Sequence, residues 1–144
     1  MIRQLYIQYE LEAEEKGLKL LLEQDSENLN VKADEYTVTQ ILDNLINNAV
    51  KYTFKGKILI KISNDENTCI VIEIIDTGIG ISEEYLSELF EPFTQEEQGY
   101  TRNFEGAGLG MAIVKKYCEL NKAIITCTSE KDKGTNFRLV FPCT

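Results

Sequence analysis

Asn44, Asn48 and Lys51 stand four and three residues apart in the segment QILDNLINNAVKYT (Gln40–Thr53), so they share one stripe if that segment is helical. An asparagine carbonyl is a hard oxygen ligand suited to Mg²⁺, and a lysine one turn further on can neutralise phosphate oxygens. Alone, such a stripe is more often a solvated polar face. A second signal is Asp76-Thr77-Gly78-Ile79-Gly80-Ile81, directly after an apolar run. Its two glycines let backbone approach a flat ligand closely, and a carboxylate at a strand end can accept from an exocyclic amine. A third, Gly106-Ala107-Gly108-Leu109-Gly110, opens a periodic apolar segment and fits phosphate binding by the free N–H groups of a helix start. The fourth, Gly134-Thr135, is an ordinary turn when taken singly.

The elements that must position these groups follow from apolar periodicity. Ile2–Lys16 carries Leu5, Tyr9 and Ala13 at four-residue steps and stops at Gly17, which predicts an amphipathic helix. A strand is expected over Leu18–Leu22 and a short one over Leu29–Ala33, with Asp34 as N-cap of the next helix. In that helix Val38, Ile41, Leu42, Leu45, Ile46, Ala49 and Val50 recur at spacings of three and four up to Thr53. Strands are expected at Lys57–Ser63, Cys69–Ile75, Ala123–Ser129 and Thr135–Phe141, a short helix after Ser82 to about Leu89, and a helix over Leu109–Leu120. Thr94–Ala107 (TQEEQGYTRNFEGA) is the one long loop, of the kind that serves as a lid. The pattern predicts an α+β fold: a mixed sheet with helices packed on one face and polar alternation on the other.

The 144 residues suit one domain, 1–144, and no internal repeat or linker divides them. Against 15 Lys+Arg stand 24 Asp+Glu, a formal charge of −9, so the chain has no general attraction to nucleic acid or anionic lipid. Histidine is absent, which excludes Ser-His-Asp hydrolysis, a His-liganded zinc site and any histidine base in this chain. Cys69, Cys118, Cys127 and Cys143 form no CxxC pair and are expected to be reduced, packed thiols of a cytoplasmic protein. No run is long and apolar enough for a membrane span, and no direct membrane contact is expected.

Taken in order, the motifs resemble those of the ATP-binding catalytic domain of sensor histidine kinases, in the superfamily that also holds DNA gyrase, the heat-shock chaperone ATPases and MutL. The resemblance covers essentially the whole chain. Gln40–Thr53 is similar to the asparagine box, DTGIGI (Asp76–Ile81) to the first glycine box and LFEPFTQ (Leu89–Gln95) to the phenylalanine box. GAGLGMAI (Gly106–Ile113) resembles the second glycine box, and Gly134-Thr135-Asn136-Phe137 the closing Gly-Thr-x-Phe. The resemblance implies a two-layer α/β sandwich of the Bergerat type with a long ATP lid. It also implies that Asn48 ligates Mg²⁺ at the ATP phosphates, supported by Asn44, that Lys51 touches phosphate and that Tyr52 lies near adenine or ribose. Asp76 would accept from the adenine amine, with Gly78 and Gly80 making room for the base and Thr135 beneath it. Gly106, Gly108 and Gly110 would hinge the lid and present N–H groups to the phosphates, and Ile81 and Leu109 belong to the same nucleotide-binding set. Phe90 and Phe93 would anchor the lid, and the Arg102 fork would stabilise charge on the transferred phosphoryl group.

Position 44 separates the branches of the superfamily. Where the hydrolytic branches carry a glutamate that activates water, this chain has Asn44, which cannot act as a base. Phosphoryl transfer is therefore expected rather than hydrolysis, and the resemblance implies that the γ-phosphoryl group goes to a histidine on a separate dimerisation domain, with a response regulator downstream and the isolated chain monomeric. A serine kinase of the anti-sigma type and a nucleotide-binding regulatory module without transferase activity are the alternatives. Two departures from the family pattern stand out: Asn121-Lys122-Ala123 replaces a glycine pair after the last helix, and Thr37 stands where an arginine is frequent.

Overall fold

The computed structural model describes residues 1–26, 30–90 and 109–142. Five strands, β1 (Lys19–Gln24), β2 (Lys57–Asn64), β3 (Ile70–Asp76), β4 (Ile124–Glu130) and β5 (Gly134–Val140), form one sheet in the order β1-β2-β3-β5-β4. Only β1 and β2 run parallel; every other pairing is antiparallel. A parallel pair cannot be closed by a tight turn, and the crossover is supplied by the longest helix, α2 (Glu35–Tyr52). The other helices are α1 (Ile2–Glu15), α3 (Glu83–Leu86) and α4 (Leu109–Leu120). The mixed α+β sheet expected from the sequence is thus present, with strand ends shifted by one or two residues, while the short helix expected to run to about Leu89 ends at Leu86. The short strand expected before Asp34 is not: residues 30–33 carry no strand and pair with none of the five described strands.

α1, α2 and α4 pack on one face of the sheet. The seven periodic residues of α2 named above are all buried. They meet Leu5, Tyr9 and Ala13 of α1, Ile58, Ile60 and Ile62 of β2, Ile72 and Ile74 of β3, and Met111, Val114 and Cys118 of α4. The opposite face is not uniformly polar. One register row, Glu23–Lys61–Glu73–Arg138, alternates in charge, but the adjacent row contains Leu21, Leu59 and Ile75. Cross-strand pairing organises this face row by row, so alternation along one strand did not describe it.

Cys118 and Cys127 are free thiols. Cys69 is in a disulfide, which overturns the expectation that all the cysteines are reduced. The absence of a CxxC pair speaks only to neighbours in sequence, whereas disulfide partners are chosen by proximity in the fold.

The two departures from the family pattern touch each other. Asn121, buried at the end of α4, accepts from the Asp34 N–H at 2.8 Å and donates through Nδ2 to Thr37 Oγ1 at 2.8 Å. Asp34 in turn caps α2, accepting from the Thr37 N–H at 2.9 Å. The same corner ends α4 in a Schellman turn: Ala123 N–H donates to Cys118 O at 2.8 Å and Lys122 N–H to Glu119 O at 3.1 Å. This turn forces Lys122 to φ +56°, a conformation that disfavours a side chain. Lys122→Gly is therefore expected to stabilise the fold by about 0.5–1 kcal/mol, relief of strain exceeding the added chain entropy. A urea titration checks this, and a midpoint that falls would contradict the strain argument.

Candidate functional site

Asp76 is the last residue of β3 and one of few buried charged side chains. The Gly78 N–H donates to its Oδ1 at 2.8 Å, an Asx turn that fixes the carboxylate while leaving the second oxygen free of that bond. Burial raises its pKa above the ordinary carboxylate value, and the N–H groups of Gly78 and Thr135 work against that rise. The Thr53 hydroxyl lies beside the carboxylate, fully buried, without completing a well-formed hydrogen bond among the described residues. A buried hydroxyl left in this state is uncommon, and together with the carboxylate it marks a polar point inside an apolar wall.

Two segments converge on Asp76 and the turn that follows it. From α2, the Tyr52 carbonyl accepts from the Ile79 N–H at 3.1 Å. This brings the backbone of the two motifs so close that a Cβ on Gly78 would lie 2.5 Å from Tyr52 O and 2.9 Å from Asp76 Oδ1. From the β4–β5 hairpin, Gly134 packs its α-carbon against the Asp76 carbonyl, where a Cβ would come within 2.0 Å. Thr135 pairs with Asp76 across the strands, is buried, and shares a 2.8 Å hydrogen bond with the Ser129 hydroxyl. Ser129 also accepts from the Ile81 N–H at 2.8 Å and donates to Gly134 O at 2.8 Å.

Ser129 thus ties the turn after Asp76 to the hairpin beneath it, and sequence reasoning missed it. A serine near the end of a strand carried no motif, although its place one residue short of the Lys131–Gly134 turn was a signal. Gly80 also differs from expectation in detail. Its φ of +72° and the Glu130 carbonyl, 2.0 Å from the position of a Cβ, show that the space at this glycine is taken by the hairpin.

α2 presents the asparagine stripe at the same end of the molecule. Asn44 donates through Nδ2 to Gln40 O at 2.9 Å, which leaves its carbonyl oxygen uninvolved in that bond. That oxygen lies 3.5 Å from where a Cβ on Gly110 would stand, in the first turn of α4. Asn44 and Gly110, sixty-six positions apart in the sequence, are therefore neighbours. Asn48 and Lys51 are half-buried on the turns that follow. Phe90 packs against the core with the Lys115 ammonium 5.9 Å from its ring centroid. Gly106, Gly108, Phe93, Arg102 and the expected lid lie outside the described residues, as does Cys143.

Beside this centre, Ile81, Ser82, Leu86, Cys127 and Ser129 line an open groove of about 480 Å³. Burial, reinforced by the negative charge of Asp76, pushes the Cys127 thiol up to about 12, so it stays a neutral thiol. No group of three or more His, Cys, Asp or Glu side chains that could hold a metal ion occurs among the described residues. Any cation here would be held by amide oxygens and by the ligand's own anionic groups. No helix among the described residues is long and apolar enough to cross a membrane.

Comparison with known proteins assigns this arrangement. The chain is 39% identical over 135 residues to the autoinducer 2 sensor kinase/phosphatase LuxQ of Vibrio parahaemolyticus, covering 90% of this chain and 16% of LuxQ. Full-length ShkA, solved in complex with AMPPNP, superposes with a TM-score of 0.85 at 30% identity over 97% of this chain and 28% of that one. The catalytic domain of histidine kinase ThkA superposes with a TM-score of 0.81 at 29% identity, over 98% of this chain and 89% of that one. ThkA is also solved with the response regulator protein TrrA, with a TM-score of 0.76 at 27% identity, over 99% of this chain and 39% of that one. The chain spans about a sixth of the length of the curated sensor kinases it matches first. The model of the histidine kinase-, DNA gyrase B-, and HSP90-like ATPases matches residues 33–144, from just before Asp34 through every element of the site, and the chain belongs to that family.

Proposed function

We propose that this chain binds Mg-ATP and transfers its γ-phosphoryl group to a histidine on a separate dimerisation domain in two-component signalling. The observation that carries the reading is that α2 meets the start of α4 through Asn44 and, through the Tyr52 carbonyl at its last turn, the segment that follows the buried Asp76. In this reading Asp76 accepts from the adenine amine, Thr135 lies under the base, Tyr52 borders the base or ribose, and Ile81 and Leu109 complete the nucleotide wall. Lys51 neutralises phosphate oxygens, and the free N–H groups at the start of α4, with Gly106, Gly108 and Gly110, receive the phosphate end. The sparse, neutral oxygen set at Asn48 and Asn44 fits Mg²⁺, which prefers few protein ligands and the phosphates themselves. When bound, the ion would neutralise charge on the phosphates. Arg102 would add its fork to the transferred group.

Asn44 cannot activate water, and the chain holds no histidine, so the nucleophile must come from outside. Incubated with radiolabelled ATP, the isolated chain is expected to stay unlabelled on histidine and to hydrolyse ATP very slowly. Supplied with its dimerisation domain, it is expected to label that domain, which passes the group to a response regulator. An efficient ATPase activity of the chain alone would overturn transfer as the reaction. Labelling of a partner serine would favour the anti-sigma reading instead.

A further inference from the structure

α1 lies outside the stretch matched by the family model, yet it reaches the nucleotide end of α2 through one side chain. Lys16 is the C-cap of α1, and Gly17 turns the chain away at φ +77°. The Lys16 ammonium donates to the Val50 carbonyl and, at 3.3 Å, to the Lys51 carbonyl, and it stands 5.1 Å from the centroid of the Phe54 ring. The last carbonyls of a helix have no partner within the helix, and the negative end of its dipole favours a cation.

We infer that Lys16 is a positioning residue for the nucleotide site, holding the last turn of α2 in place from α1. The inference rests on the nucleotide-binding reading above. The clamped turn contains Lys51, Tyr52 and Thr53, and the Tyr52 carbonyl is the acceptor for Ile79 in the turn that fixes Asp76. A shift of that carbonyl is felt at once by Gly78, which has no room to yield. Lys16 thus acts on both sides of the site, the phosphate side through Lys51 and the base side through Tyr52, without touching a ligand. Burial lowers the Lys16 pKa, with Glu12 opposing, so the ammonium has given up part of its hydration for these carbonyls.

The test compares Lys16→Met, which keeps the aliphatic stem, with Lys16→Arg, which keeps the donors. Calorimetry with Mg-ATP is expected to show about threefold to tenfold weaker binding in Lys16→Met and recovery to within about twofold of wild type in Lys16→Arg. Amide hydrogen exchange without nucleotide is expected to quicken at Thr53 and Ile79 in Lys16→Met, while Leu45 in the middle of α2 keeps its rate. Wild-type exchange at Thr53 and Ile79 in Lys16→Met, or a Lys16→Arg variant that behaves like Lys16→Met, overturns the positioning role. A wild-type chain that binds no Mg-ATP overturns the nucleotide reading itself, and the exchange measurement then decides the helix clamp separately.

Discussion

Asp76→Asn is expected to lower ATP affinity by about tenfold to a hundredfold while leaving the fold intact. The Gly78 N–H needs an oxygen at Oδ1, so the substituted amide will keep its carbonyl there and turn its NH₂ toward the base. A donor would then face the adenine amine, itself a donor, and a hydrogen bond to a charged acceptor worth about 1.5–3 kcal/mol is lost. The same change should not weaken the empty protein. The folded-state pKa of Asp76 is raised by burial, so its contribution to stability is present at low pH and lost as pH rises through that folded value. Above that folded value the ionised carboxylate is a cost, and there Asp76→Asn is expected to be at least as resistant to urea as wild type. Calorimetry alongside urea titration checks both halves. Wild-type affinity in a folded Asp76→Asn variant would remove Asp76 from the base pocket.

Asn48→Ala is expected to reduce phosphoryl transfer to a supplied histidine domain by more than about a hundredfold. Loss of groups that merely support a metal ligand commonly costs tenfold to a hundredfold, and this change removes the proposed ligand itself. The fold should tolerate the change. Asn48 is half-buried, and alanine is the better helix former. Transfer should fail even at saturating nucleotide, because the phosphates are held without their charge being neutralised. Undiminished transfer by a folded Asn48→Ala variant would place the cation elsewhere.

The sequence carried much of this arrangement because its signals are periodic or local. The apolar spacing of α2 predicted its buried face residue by residue, since a helix repeats every 3.6 residues whatever it packs against. The spacing of Asn44, Asn48 and Lys51 placed them on one stripe for the same reason. Alternation and turn residues located all five strands, and the N-caps Asp34 and Ser82 were legible from residue type. Other features depended on which distant segments meet. That Asn44 faces Gly110, that Ser129 laces the turn after Asp76 to the hairpin, and that Asn121 clamps Thr37 are outcomes of packing with no short-range code. The apolar row on the open face follows from strand register, which no single strand encodes. Cys69 entered a disulfide for a reason of the same kind. Lys16 looked like one more charge at the end of an amphipathic helix, and only the docking of α1 on α2 turned it toward the carbonyls of Val50 and Lys51. Residue types and their periods determined which groups can bind, cap or bury; tertiary structure decided which of them meet, because burial and unpaired polar groups are settled only when separated segments share one core.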